Sequence, residues 1–116
     1  AQVETLRAGT ATTLAVVATD ATLTKAGCGK LAQVAHDGFA RALSPVHTAF
    51  DGDTVFTLAT GTRPGVEGLD EVELQTAAAD CVARAIVRGV LAATSVDRTA
   101  DGGVALASYR DALTLT

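Results

Sequence analysis

Five consecutive apolar residues, Leu14-Ala15-Val16-Val17-Ala18, constrain the fold of this chain more than any other stretch. A run this short, β-branched at its centre and closed by Thr19-Asp20, suits a strand buried on both faces, because a half-exposed strand alternates apolar and polar residues. Such a strand needs a layer on each side. The run therefore predicts an α/β (α+β) fold in which helices pack against a sheet.

The rest of the chain supplies those layers. Thr24 is placed to cap a helix running to about Leu43, with Leu31, Ala35, Phe39 and Ala42 as its buried stripe and Ser44-Pro45 as its stop. Thr54 to Ala59 is β-branched and aromatic enough for a second strand, and residues 61 to 68 form a loop. Asp70 and Glu73 resemble a capping box. They open a long helix whose buried face is expected to carry Leu74, Ala77, Ala78, Cys81, Val82, Ala85, Ile86, Gly89 and Val90, with Arg84 and Arg88 on the solvated side. Asp97 to Gly103 is a turn-rich break, and Val104 to Leu115 a short apolar tail.

Composition narrows the class. The 116 residues suit one domain and are 48% hydrophobic but only 3% aromatic, so Ala, Val, Leu and Thr must make the core. A net charge of −4 without a basic run argues against nucleic acid and anionic membrane as partners. No apolar segment reaches the roughly 18 residues that span a bilayer, and the N-terminus lacks the pattern of a signal peptide. Cys28 and Cys81 stand alone in helical segments and read as packing residues of a protein in a reducing, cytoplasmic compartment. Two histidines and two distant cysteines do not make a metal site, and no cofactor is expected.

Candidate chemistry lies at the heads of the two strands. Thr12 precedes the first, and Asp51-Gly52-Asp53 precedes the second. A threonine hydroxyl needs a base, and an N-terminal threonine has one in its own α-amine, whose usual pKa of about 7.7 to 8 leaves much of it neutral. Two aspartates one residue apart point to the same side of an extended chain. They would orient the Thr12 hydroxyl and amine and favour the ammonium formed during attack. Read as plain structure, Thr12 is a strand residue and Asp51 to Asp53 a turn. His47 lies four residues before Asp51, so a Thr-His-Asp arrangement is conceivable, although a histidine beside a proline turn more often makes a structural hydrogen bond. His36, within the first helix, reads in the same way.

Three blocks, Ala11-Thr12-Thr13-Leu14-Ala15-Val16-Val17-Ala18-Thr19-Asp20, Ala35-His36-Asp37-Gly38-Phe39-Ala40-Arg41-Ala42-Leu43 and Pro45-Val46-His47-Thr48-Ala49-Phe50-Asp51-Gly52-Asp53-Thr54-Val55-Phe56, resemble the DmpA-like self-processing aminopeptidases, which include nylon-oligomer hydrolases and belong to the Ntn-type enzymes. The resemblance runs from about Gly9 to the Cys81 helix. It implies half of a four-layer αββα fold, shared with ornithine acetyltransferases. It also implies self-cleavage between Ala11 and Thr12, with residues 1–11 as the preceding linker and 12–116 as the nucleophile-bearing β chain. Thr12 would be the nucleophile, Asp51 and Asp53 the supporting acids, and an oxyanion-hole Asn with further Lys and Tyr residues would lie on an α chain of the same precursor.

The activity so implied is hydrolysis of a peptide or oligoamide through a Thr12 acyl-enzyme, in an assembly of several αβ units. The nylon-oligomer branch has Asn where this chain has Ala11, whereas ornithine acetyltransferases cut between Ala and Thr. An acyltransferase with an amine acceptor is thus one alternative, and a non-enzymatic α/β interaction module another.

Overall fold

The computed structural model describes residues 11–114. Residues 1–10, which hold most of the expected linker and the bend at Gly9, lie outside it, as does Leu115. The described residues form two compact units, one ending at Ala83 and the other beginning at Arg84.

The first unit is built on a parallel strand pair, β1 (Leu14–Ala21) and β2 (Thr54–Arg63). Leu14 pairs with Thr54 and Thr19 with Ala59, after which the register shifts before Ala21 meets Arg63. β1 outlasts its apolar run because this partner continues the ladder beyond Ala18. Parallel strands need a crossover, and here it contains α1 (Lys25–Ala35) and α2 (Asp37–Ala42). Thr24 caps α1 as expected, its hydroxyl accepting the Gly27 N–H at 3.0 Å.

One helix was expected to reach Leu43, but the α-helical ladder is interrupted at His36. There the Phe39 N–H takes the His36 carbonyl, three residues back, at 3.1 Å. Leu31, Ala35 and Phe39 are buried as the spacing predicts, while Ala42 is half-buried. Burying Phe39 and Leu31 contributes about 1.5 to 3 kcal/mol each.

Both apolar faces of β1 are written in its sequence, yet only one is covered in this structure. Exposure alternates along the strand. Leu14 (67% exposed), Val16 (69%), Phe56 (59%) and Leu58 (57%) form an open apolar face, whereas α1 packs against β2 on the sheet.

The last element of the first unit, α3 (Leu69–Ala92), runs past its boundary at Ala83. Gly68, with φ of +59°, precedes it, so Asp70 lies in the first turn beside Glu71, where both carboxylates suit the helix dipole, rather than capping it. Its buried residues are Ala78, Ala79 and Val82. Cys81, Ala77, Ala85, Gly89 and Val90, expected on the buried face, are exposed, and Cys28 is half-buried. The stripe is this narrow because α2 meets α3 at one close approach. A Cβ on Gly38 would stand 2.4 Å from the Ala79 carbonyl oxygen and 2.7 Å from the Val82 Cβ.

In the second unit the C-terminal part of α3 is followed by an antiparallel pair, β3 (Val96–Asp97) and β4 (Ala105–Leu106), and by α4 (Tyr109–Thr114). Asp97 accepts both the N–H and the hydroxyl of Thr99, which starts a 3₁₀ turn at the expected break and lowers the Asp97 pKa. Ser108, the buried polar residue here, receives the Asp111 N–H on its hydroxyl at 3.2 Å. The fold is thus mixed α/β, with helices packed against small sheets, as the sequence predicts. No helix among the described residues is long and apolar enough to cross a membrane.

The contact at Gly38 yields a paired expectation. Gly38→Ala should destabilise the protein by about 1 to 3 kcal/mol through overpacking against backbone. Gly29→Ala, in α1 with open space around it, should stabilise by about 0.5 to 1 kcal/mol. Urea unfolding of the two variants beside the parent would show the opposite signs.

Candidate active site

The ladder of β1 and β2 continues backwards and brings the two candidate segments together. Ala11 bridges Asp51, donating its N–H to the Phe50 carbonyl at 3.2 Å and accepting the Gly52 N–H at 2.7 Å. The Thr54 N–H then takes the Thr13 carbonyl at 3.0 Å. Carried back from Leu14 and Thr54, this register sets Thr12 level with Gly52. Thr12 is exposed and Thr13 half-buried, so the two threonines continue the alternation of β1. Thr12 falls on the side of Leu14 and Val16.

Each aspartate has its own task in this arrangement. Asp51 closes a turn: its carboxylate accepts the Thr48 N–H at 2.7 Å, and its own N–H binds the Thr48 carbonyl at 3.1 Å. Asp53 is almost buried, its side chain 5% exposed, and joins two segments. Its Oδ1 accepts the Thr13 N–H at 3.0 Å, and its Oδ2 accepts the His47 Nδ1–H at 3.1 Å. Both carboxylates thus hold the backbone on either side of Thr12, through Thr13 and through the segment that pairs with Ala11. Direct bonding to the Thr12 hydroxyl is the role the sequence suggests for them, and in this arrangement their bonds go to Thr13, Thr48 and His47.

Burial of Asp53 works against its charge and would raise its pKa. The hydrogen bonds from the Thr13 N–H and from His47 outweigh that cost and hold the carboxyl below its ordinary value. It is therefore an anion near neutrality. His47 does not complete a Thr-His-Asp relay. One ring nitrogen meets Asp53, and the other meets His36 Nδ1 at 3.2 Å. His36 in turn donates from Nε2 to the Asp53 backbone carbonyl at 3.3 Å and rests edge-on against Phe39 at 4.9 Å between centroids. Among the described residues no group of three or more His, Cys, Asp or Glu side chains is arranged to hold a metal ion.

Comparison with known proteins gives the family of the chain. The family model of Peptidase family S58, the DmpA family, matches residues 2–103. The chain belongs to peptidase family S58. It is 49% identical over 96 residues to an uncharacterized aminopeptidase of Mycobacterium leprae, an alignment covering 73% of this chain and 26% of the relative. It is 44% identical over 111 residues to uncharacterized aminopeptidases of Mycobacterium bovis and Mycobacterium tuberculosis, covering 86% of this chain and 30% of each relative. The S58 chain therefore spans between 26% and 30% of the length of these relatives.

Two participants escaped the sequence reading. The Gly52 N–H on the Ala11 carbonyl is a backbone group and leaves no side-chain signature. The His36–His47 contact joins positions eleven residues apart across a helix end and a proline turn, for which no periodic pattern exists. The pairing His-x-x-x-x-x-Asp is a weak signal, because His47 meets Asp53 through a turn.

The depressed pKa of Asp53 carries a pH dependence. A carboxyl whose native pKa lies below its unfolded value adds stability above the unfolded pKa, about 3.9 for Asp, and that stability is lost as pH falls through the native value. The parent should therefore lose stability as pH drops below about 4 more steeply than Asp53→Asn, and the gap between them should narrow with acidification. Denaturant midpoints measured from neutrality downwards would show this convergence.

Proposed function

We propose that this chain carries the nucleophile of a self-processing amide hydrolase, with Thr12 as nucleophile and Ala11–Thr12 as the bond cut in maturation. The observation that supports this reading most is the hydrogen bond from Gly52 N–H to the Ala11 carbonyl at 2.7 Å, adjoining an exposed Thr12. The Ala11 carbonyl is the group that the Thr12 hydroxyl would attack. A donor fixed on that oxygen polarises the carbon before attack and stabilises the charge that develops on the oxygen.

The steps follow from ordinary acyl chemistry. The Thr12 hydroxyl adds to the Ala11 carbonyl, the C–N bond breaks, and the amide nitrogen leaves as the new α-amine of Thr12. Water then hydrolyses the ester that links Ala11 to the Thr12 oxygen. The freed amine is the base for later turnovers, taking the hydroxyl proton as Thr12 attacks a substrate amide. Asp53 keeps Thr13, and so the backbone that bears the nucleophile, at a fixed place. Asp51 holds the turn that presents Gly52.

The names of the relatives favour an aminopeptidase, in which the acyl part of the substrate carries a free α-amine. Oligoamide hydrolysis remains the related reading drawn from the nylon-oligomer branch. The relatives are more than three times the length of this chain, which supports an α chain from the same precursor as the partner. The open apolar face of Leu14, Val16, Phe56 and Leu58 is the surface such a partner would cover. Remaining oxyanion donors and the substrate pocket are assigned to that partner, and several αβ pairs to the assembly.

Thr12→Ala in the full-length protein should abolish both the cut and amide hydrolysis and leave the melting temperature within about 1 to 2 °C, because it removes few buried atoms. Intact-mass spectrometry and release of the aniline from an alanyl anilide read the two activities. A cut that persists in this variant would remove Thr12 from the mechanism.

A further inference from the structure

We propose that Thr54 is a positioning residue for the Ala11–Thr12 cut: its hydroxyl occupies the Gly52 carbonyl and so leaves the Thr13 N–H to Asp53. In a parallel ladder a residue sends its N–H to one carbonyl of the facing strand and accepts on its own carbonyl the N–H found two residues further on. Ala11 keeps this rule, with its N–H on the Phe50 carbonyl at 3.2 Å and its carbonyl on the Gly52 N–H at 2.7 Å. Thr13, the next residue to turn its backbone to the facing strand, keeps half of it. Its carbonyl takes the Thr54 N–H at 3.0 Å, but its N–H goes to Asp53 Oδ1 at 3.0 Å, where the ladder would offer the Gly52 carbonyl. The Gly52 carbonyl accepts the Thr54 hydroxyl instead, at 3.0 Å. One rung is thus replaced by two side-chain bonds, directly after Thr12.

The two replacements depend on each other. Gly52 is half-buried, and a carbonyl there costs stability when it has no donor. The Thr13 N–H is the donor that the strand register sets against it. With the Thr54 hydroxyl on that carbonyl, the Thr13 N–H is released to the stronger, charge-assisted bond with the carboxylate. Thr54 is itself half-buried and pairs with Leu14, so it lies on the side of the sheet that carries Leu14 and Thr12. Its hydroxyl acts through the backbone of Gly52.

The consequence falls on Thr12, whose backbone runs between the Ala11 carbonyl on the Gly52 N–H and the Thr13 N–H on Asp53. Moving the Thr13 N–H onto the Gly52 carbonyl would restore a regular rung and re-aim the Thr12 hydroxyl relative to the Ala11 carbonyl. A misplacement of about 1 Å is enough to cost on the order of a hundred-fold in rate. The effect on the cut rests on the nucleophile reading given above; the exchange of acceptors at Thr13 does not.

In the full-length protein, Thr54→Val keeps the branched shape and removes the donor, whereas Thr54→Ser keeps the donor. Thr54→Val should slow the Ala11–Thr12 cut about ten- to a hundred-fold with a melting temperature close to the parent's, because the Gly52 carbonyl regains the Thr13 N–H. Thr54→Ser should cut at close to the parent's rate. Equal rates in Thr54→Val and the parent, or equal slowing by Val and by Ser, would overturn the positioning role. Thr54→Ala, which lacks the same donor, takes the place of Thr54→Val if that variant does not fold. Amide NMR of the full-length protein labelled on threonine, with Thr12→Ala to keep the chain uncut, reads the acceptor of Thr13. Acidification from neutrality to below about pH 4, through the usual carboxyl range, should move the Thr13 amide proton in this background and leave it in place once Thr54→Val is added. A Thr13 amide that follows the Asp53 carboxyl with and without the Thr54 hydroxyl would overturn the exchange of acceptors. If Thr12→Ala still cuts, the nucleophile reading fails, and the exchange of acceptors is decided by these spectra alone.

Discussion

The hydrogen bond from the Thr13 N–H to Asp53 is the constraint on which the site depends. It joins the leads of two parallel strands at the point where neither is yet in regular ladder, and it does so with a buried carboxylate whose charge is held by its partners. A neutral amide in that place would keep the shape and lose the charge-assisted strength of both contacts. From it the arrangement extends in two directions. Toward the helices it reaches His47 and then His36 at the break between α1 and α2. Along the strands it continues into Thr54 on Thr13, and backwards into Gly52 on Ala11.

The break at His36 shows how helix packing and site geometry are coupled. Gly38 lies two residues beyond it and allows α2 to sit against Ala79 and Val82 with no space for a methyl group. Phe39, fully buried, anchors the next position and takes the edge of the His36 ring. The ring is thereby directed at the Asp53 carbonyl rather than left on a helix surface.

What was legible in the sequence followed from local rules. The Thr24 cap, the strand at Leu14 to Ala18, and the buried Leu31, Ala35 and Phe39 all rest on spacing and propensity. The family resemblance, carried by the blocks around Thr12, His36 and Asp51, agrees with the match to peptidase family S58. The continuous helix to Leu43 and the wide buried face of α3 did not survive, since both depend on where other elements press. Cys81 and Val82 are adjacent and equally apolar, and only the position of Gly38 decides that Val82 is inside. Likewise the sequence could place Asp51 and Asp53 on one side of a chain. It could not say that one would be taken by the Thr48 turn and the other by Thr13 and His47.

Two threonines stand side by side at the head of β1, chemically identical and one residue apart. A pleated chain sends neighbours to opposite faces, so the pairing register alone decides which hydroxyl is offered on the open side. That register is pinned at both ends: by Asp53 on the Thr13 N–H at one, and at the other by the Thr22 hydroxyl on the Arg63 carbonyl at 2.7 Å and by the pairing of Arg63 with Asp20. A slip of one residue would exchange Thr12 for Thr13 and turn every apolar side chain of the strand to the wrong layer. Which of the two hydroxyls stands on the open side is thus set by the alignment of the strands.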